Sequence, residues 1–135
     1  MVHKPKHKVH SFRGLLGDGG QDEINLERQN ANVAYRIVTL EIFPNLPGTT
    51  DIEDLVQVFR EEPSSIPTTA PTVDFTSPDL IAAAFISGNA ATQIQGIVTI
   101  FDNTLFSRNL FVTHTDALAA KSCNYYIEIE EVPVS

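Results

Sequence analysis

The segment from Cys123 to Val132, CNYYIEIEEV, indicates the fold class most clearly because its side chains alternate between apolar and polar types. Successive side chains of a β-strand point to opposite faces, so this alternation predicts a strand with one face in the core and one in solvent. The predicted inward side chains are those of Cys123, Tyr125, Ile127 and Ile129, and the predicted outward ones are those of Asn124, Tyr126, Glu128 and Glu130.

Before this segment in the sequence, further short segments rich in β-branched and aromatic residues are separated by Gly, Pro and Asn turns. The strongest is AYRIVTLEIFP at 34–44, whereas 79–86 is compatible with either a strand or a short helix, of which we favour the strand. The other predicted strands are 22–28, 55–60, 95–102 and 108–113, with a short extended piece at 73–76. No long helical period appears, so we expect an all-β protein with an antiparallel β-sandwich, jelly-roll-like fold.

The charge is divided between two parts of the 135-residue chain. The first thirteen residues carry no acid and four cations, Lys4, Lys6, Lys8 and Arg13, whereas the remaining five basic and seventeen acidic side chains leave the body at −12. We therefore expect an extended basic arm at 1–13 and a single β-sandwich domain at 14–135. An acidic body repels nucleic acid, whereas the arm would bind an acidic protein surface or make weak nucleic-acid contact. An ordinary solvated terminus is the alternative.

Targeting and redox features are few. The longest apolar run, Leu80 to Ile86, is far shorter than the roughly 20 residues of a membrane helix, and the charged N-terminus does not resemble a secretory signal. The single cysteine, Cys123, excludes an intrachain disulfide and fits a reducing cytosol.

A catalytic site is not indicated by the sequence. His114 has Asp116 two residues away and Ser107 and Ser122 nearby, but no G-x-S-x-G motif accompanies them. We expect His114 to be a strand-end histidine hydrogen-bonded to a loop, and Cys123 to be a small buried hydrophobe, although its proximity to His114 in space stays open. A small hydrolase using His114 is the enzyme hypothesis against which a non-enzymatic protein is favoured.

Metal and cofactor sites are likewise not predicted. His3, His7 and His10 have helical spacing, but Pro5 interrupts them and no acid or thiol completes a site, so we expect only adventitious nickel binding. The acids Asp51, Glu53 and Asp54 lack the calcium-loop pattern and are expected to form a solvated face. The glycines at 14, 17, 19 and 20 are expected to serve turns or a hinge.

Four stretches carry a family resemblance: HSFRGLLGDGG (10–20), VDF (73–75), IFDNTLFSRNLFVTHTD (100–116) and CNYYIEIEE (123–131). In these stretches the chain resembles uncharacterised small virion structural proteins of marine tailed phages. The resemblance implies a β-sandwich component that decorates the capsid or sits at the head–tail region. It carries no catalytic motif and transfers no functional residues.

Taken together, these observations predict a non-enzymatic capsid decoration or cement protein, homo-oligomeric, that stabilises the shell through subunit contacts. Its partners would be the major capsid protein or other virion subunits, and it would be found in the virion after assembly in the host cytoplasm. Lys4, Lys6, Lys8 and Arg13 are the predicted partner-binding residues. A receptor- or glycan-binding β-sandwich module of a tail or fibre is the alternative, and it would need exposed aromatics or a calcium cluster near the 61–71 loop.

Overall fold

The computed structural model describes residues 8–26, 32–48, 51–89 and 94–134 of the chain. These residues form eight β-strands: β1 (Val9–Leu16), β2 (Gln21–Ile24), β3 (Val33–Pro44), β4 (Ile52–Phe59), β5 (Leu80–Gly88), β6 (Ile94–Phe101), β7 (Leu110–Asp116) and β8 (Cys123–Pro133). None of the described residues belongs to a helix that could span a bilayer. The all-β prediction is confirmed, and the ambiguous segment at 79–86 is a strand.

The strands form two antiparallel sheets. The smaller sheet has the order β1-β8-β3, so the alternating strand β8 lies at its centre, and the larger has the order β2-β7-β4-β5-β6. The chain changes sheet four times, between β1 and β2, between β2 and β3, between β3 and β4, and between β7 and β8. Two antiparallel sheets of three and five strands are compatible with a sandwich.

One hydrophobic core joins the inward faces of both sheets. The smaller sheet contributes residues such as Leu40, Ile127 and Ile129, and the larger contributes Val56 and Val112 among others. The predicted inward face of β8 is buried, and three of its four predicted outward side chains are partly exposed. The fourth, that of Glu130, is buried beside Arg36, whose Nε lies 3.1 Å from the Glu130 carboxylate.

Two segments differ from the sequence-based prediction. Residues 9–16 form strand β1, which the sequence did not indicate, because β8 supplies its hydrogen-bond partners and Phe12 packs against the core. Residues 74–77 form a turn where an extended piece was predicted at 73–76, because the Asp74 carboxylate accepts hydrogen bonds from the backbone N–H and the hydroxyl of Thr76, and the Asp74 carbonyl accepts the N–H of Ser77. Both features depend on contacts that period-two hydrophobicity does not encode.

The predicted partner-binding cations fall in three settings. Lys4 and Lys6 lie outside the described residues. Lys8 is exposed immediately before β1, and its carbonyl accepts a hydrogen bond from the N–H of Glu131. Arg13 is exposed within β1, opposite Tyr126 of β8. The predicted boundary between arm and body at 13/14 therefore falls inside a strand of the smaller sheet.

Candidate functional site

A cluster of three titratable side chains lies between the two sheets. Asp54 comes from β4, His114 from the adjacent β7 and Cys123 from the first position of β8. All three side chains are completely buried, and the donor atoms that they offer lie within 4.8 Å of one another. Since Asp54, Val56 and Val58 alternate along β4 with their side chains in the core, the carboxylate occupies an apolar position of an otherwise regular strand.

The imidazole of His114 is held at both nitrogens. Its Nδ1 lies 2.9 Å from the carbonyl oxygen of Gly17, which can only accept, so Nδ1 carries a proton and donates it. Its Nε2 lies 2.8 Å from Oδ1 of Asp54. The Gly17 carbonyl belongs to the turn between β1 and β2, and this turn is fixed to β7 by the bond from Gly19 N–H to the His114 carbonyl, at 2.8 Å. The expected bond between His114 and a loop is confirmed.

The side chains of Asp54 and Cys123 make fewer good hydrogen bonds than that of His114. Oδ2 of Asp54 is buried and has no hydrogen-bond partner among the described residues. The Sγ atom of Cys123 lies 3.4 Å from the carbonyl oxygen of Asn124 and 3.7 Å from that of Phe43, and the thiol also interacts with the Asp54 carboxylate. A buried carboxylate oxygen without a partner is costly, since its hydration is lost and nothing replaces it.

Burial and mutual contact shift the protonation equilibria of this cluster. Desolvation raises the pKa of Asp54 above its usual value. For His114 burial acts in the opposite direction, but the hydrogen bonds to Asp54 and Gly17 favour the protonated ring and raise its pKa. Desolvation, together with the negative charge of Asp54, raises the pKa of the Cys123 thiol strongly. The thiol is therefore protonated and unreactive at neutral pH.

This arrangement does not provide a nucleophile with an accessible base. A cysteine hydrolase needs an imidazole nitrogen free to accept the thiol proton and a cleft that admits substrate. Both ring nitrogens of His114 are committed to Gly17 and Asp54, so neither bonds to Ser107 or Ser122. Cys123 is closed to solvent. The sequence pointed to the pair of His114 with Asp116, whereas the structure pairs His114 with Asp54.

Asp116 has a different role, which is to close the turn after β7. Its carboxylate accepts the backbone N–H groups of Glu53, Leu118, Ala119 and Lys121 at 3.0–3.3 Å. Burial alone would raise the pKa of Asp116, but these hydrogen bonds stabilise the charged form and lower it. The predicted acidic face at 51–54 is not formed as one surface, because Asp51 is exposed while Asp54 lies in the core.

Among the described strands, β6, the last strand of the larger sheet, carries the most exposed large apolar side chains. Its only described neighbour is β5, so its outer edge pairs with no described strand. Apolar side chains are exposed on both faces, with Ile97 at 65% and Val98, Ile100 and Phe101 also open to solvent. The segment 94–101, IQGIVTIF, contains no charge and no proline. We call residues 94–101 the β6 edge.

The other three sheet edges differ from the β6 edge in charge. Strand β1 carries Arg13, β2 carries Asp22 and Glu23, and β3 carries Arg36 and Glu41. Charged side chains on an edge strand oppose pairing with another chain, and proteins use them for that purpose. The β6 edge is therefore the described edge best suited to accept a further strand.

A groove of about 1050 Å³ adjoins this edge. Its lining includes Ile97 and Phe101 from β6 of the larger sheet and Phe43 and Tyr126 from the smaller sheet. Arg13, one of the predicted partner-binding residues, also lines the groove. The groove therefore combines an apolar wall, one cation of the N-terminal region and four aromatic side chains, those of Phe43, Phe101, Tyr125 and Tyr126.

Comparison with protein-family models gives no match, and no curated protein matches the sequence. The function must therefore be argued from the described surfaces and the buried cluster. Two of these features were missed by sequence reasoning. Asp54 could have been found by extending the strand at 55–60 toward the N-terminus, since Asp54, Val56 and Val58 share one face. The exposure of β6 has no such signal, because an apolar strand is read as buried.

Proposed function

We propose that this protein is a non-enzymatic structural component of a tailed-phage particle, a capsid decoration or cement protein that acts through subunit contacts. The observation that carries the docking role is the uncharged β6 edge, which pairs with no described strand on its outer side, on a chain whose body is otherwise strongly acidic. The phage particle itself is supported by the resemblance of the four quoted stretches. The closed cluster around His114 supports a role without turnover, since it has no accessible nucleophile.

The β6 edge is suited to pairing with another copy of itself. Two antiparallel copies related by a two-fold axis would join their five-stranded sheets into one of ten strands. An isologous contact pairs a segment with the same segment of the second copy, so an acidic segment would meet its own charges there and be repelled. Residues 94–101 are free of charge and avoid this cost. Homo-oligomerisation through β6 is therefore part of the proposal.

The N-terminal cations supply the second contact of the proposal. Lys4, Lys6, Lys8 and Arg13 would anchor the protein to the major capsid protein or to a neighbouring virion subunit, with acidic side chains as the binding partners. The exposure of Lys8 and Arg13 supports this, as does the position of Arg13 beside the groove. An extended arm and a jelly-roll-like arrangement of the strands belong to this proposal, as do a location in the virion and assembly in the host cytoplasm.

The decisive test is reattachment of purified protein to particles from which it is missing, with copy number measured by quantitative mass spectrometry. Hundreds of copies per particle support decoration, about a dozen indicate a vertex or connector position, and none refutes the virion role. Deleting residues 2–7 tests the arm without damage to β1, which begins at Val9. Unchanged occupancy of this deletion would refute the role of the arm, and a salt-sensitive affinity for DNA would assign it to nucleic acid instead.

The interface is tested by Ile97→Lys and Ile100→Lys, which place a charge on each face of the β6 edge. The matched control is Leu118→Lys, since Leu118 is a similarly exposed apolar residue in the turn after β7. Sedimentation equilibrium should show that the two β6 variants are monomeric while the control remains oligomeric. Identical association of all three proteins would refute pairing through β6.

A receptor- or glycan-binding module remains a second candidate because of the groove. Phe43 and Tyr126 lie there together with Arg13, Glu41 and Asn124, and aromatic faces flanked by hydrogen-bonding groups are suited to sugars. No calcium cluster lies beside the described 61–71 loop, so the predicted alternative would have to use the groove. A glycan array without signal, with and without calcium, would remove this candidate.

A further inference from the structure

We propose that Asp54, His114 and Cys123 bind a structural zinc ion that links the two sheets. The three side chains are the one group with metal-ligand spacing among the described residues, and they converge from β4, β7 and β8. Carboxylate, imidazole and thiolate are the three protein ligands that Zn²⁺ takes in tetrahedral sites. This inference does not rest on the proposed function, because the three residues that would bind the ion lie in the interior of the fold.

The orientation of His114 is the first argument. Zinc-bound histidines nearly always donate their second ring N–H to a carbonyl or a carboxylate, which fixes the tautomer. Nδ1 of His114 donates to the Gly17 carbonyl at 2.9 Å, so Nε2 is the nitrogen directed at Asp54 and the rest of the cluster. A positive species must lie between Nε2 and the carboxylate, since two acceptors facing each other repel. A proton or a metal cation satisfies this requirement.

The free oxygen of Asp54 is the second, independent argument. Oδ2 is completely buried and lacks a hydrogen-bond partner among the described residues, although a proton on Nε2 already satisfies Oδ1. A proton between His114 and Asp54 therefore leaves the second carboxylate oxygen with no stronger compensation than the weak donor of the Cys123 thiol. A divalent cation bound by this carboxylate compensates the charge shared by both oxygens, so Asp54, His114 and Cys123 would supply one ligand atom each, and the second oxygen would make a longer contact with the ion.

Charge balance favours a divalent ion. When zinc binds, the thiol of Cys123 and the protonated His114–Asp54 pair each lose one proton, which leaves a thiolate, a carboxylate and a neutral imidazole. Their total charge of −2 is neutralised by Zn²⁺, so the loaded cluster carries no net charge in the core. The soft thiolate selects zinc over calcium or magnesium, which prefer oxygen ligands.

The spacing requires only a small rearrangement. Zinc bonds of about 2.0 Å to nitrogen and 2.3 Å to sulfur place the ligand atoms of a tetrahedral site roughly 3.5 Å apart. The donor atoms lie within 4.8 Å of one another, so the widest separation closes by roughly 1 Å, while the 2.8 Å contact between Nε2 and Oδ1 opens slightly. Because all three residues are closed to solvent, the ion enters during folding rather than by diffusion into the native protein.

The test is to unfold the full-length protein in chelator, refold it with excess Zn²⁺, remove unbound metal, and measure zinc by mass spectrometry. We expect one zinc per chain and a higher Tm than after refolding without metal. Cys123→Ala and Asp54→Asn should each lower the occupancy by roughly tenfold or more. The control Val112→Ala alters a buried residue one inward position from His114 and should retain the zinc.

The experiment must show that the measured zinc is not bound by the histidines of the N-terminal region. A His3→Gln, His7→Gln, His10→Gln variant should keep its zinc, and loss of zinc in this variant together with retention in Cys123→Ala would overturn the proposal. Refolding with Co²⁺ gives a readout that does not depend on the stability of any variant, because a Co²⁺–thiolate bond produces a charge-transfer absorption band. The absence of that band in the wild-type protein would also overturn the proposal.

Discussion

Removing one member of the buried Asp54–His114 pair should destabilise the metal-free protein far more than removing both. His114→Leu leaves the Asp54 carboxylate without a partner on either oxygen, and breaking a buried pair in this way costs about 3–5 kcal/mol. The Gly17 carbonyl is not orphaned, since it still accepts the N–H of Gly20 at 2.9 Å. Asp54→Val leaves only Nε2 of a neutral imidazole unpaired, which costs about 1–3 kcal/mol.

The double variant Asp54→Val, His114→Leu removes both polar groups together. Apolar replacement of a buried ion pair is often neutral or stabilising, so we expect a free energy of unfolding within about 1 kcal/mol of the wild type. Urea denaturation at neutral pH with chelator present measures all four proteins, and equal m-values would show that the same transition is compared. Ile129→Val, at a buried site of β8, serves as the additive control at about 0.5–1.5 kcal/mol in each background. If the double variant loses as much free energy of unfolding as the two single variants together, the two side chains do not act as a pair and the prediction is wrong.

Three further predictions concern the same region. Asp116→Ala removes the acceptor of four backbone N–H groups and should cost about 2–4 kcal/mol by thermal or urea denaturation, whereas Asp102→Ala, at an exposed turn, should cost less than about 1 kcal/mol. Gly14→Ala should cost about 1–3 kcal/mol, because a Cβ there would lie 2.8 Å from the ring of Tyr125; a stability equal to wild type would contradict this crowding. In the metal-free protein the raised pKa of His114 stabilises the fold fully below about pH 6.5, and this stabilisation is lost as the pH rises through the folded-state pKa of His114. The double variant should show no such loss. A wild-type free energy of unfolding that stays level as the pH rises above about 6.5 would contradict this prediction.

A strand could be predicted from the sequence where one of its faces is exposed to solvent and the other is buried. Strand β8 alternates apolar and polar side chains, so its inward residues could be assigned from the sequence. Strand β5 could be assigned less firmly, because a run of three alanines between apolar residues suits a buried strand and a helix equally. Strand β1 was missed because its pairing with β8 across more than a hundred residues decides its conformation. Local pattern carries no information about such a partner.

The candidate site was less predictable than the fold. Asp54 and His114 are sixty residues apart, and Cys123 belongs to the other sheet, so only the register of β4 against β7 and the packing of the sheets bring them together. Sequence reasoning correctly gave Cys123 a buried position and left its approach to His114 open. It placed Asp54 on a solvated face because the strand was taken to begin at Leu55, one residue after the carboxylate and three residues beyond the observed start of β4.

The buried cluster of Asp54, His114 and Cys123 and the groove beside the β6 edge both involve residues from the two sheets, so both depend on the relative position of the sheets. The β6 edge belongs to the larger sheet, whereas Phe43 and Tyr126 on the other side of the groove belong to the smaller one, so the groove keeps its shape only if the sheets hold a fixed relative position. Hydrophobic packing between sheets is not directional and permits some sliding. Directional bonds from Asp54 and His114 in one sheet to Cys123 in the other, made through a common cation, would oppose such sliding. Loading of the cluster should therefore strengthen self-association through β6, and sedimentation equilibrium of zinc-loaded and metal-free protein measures that difference.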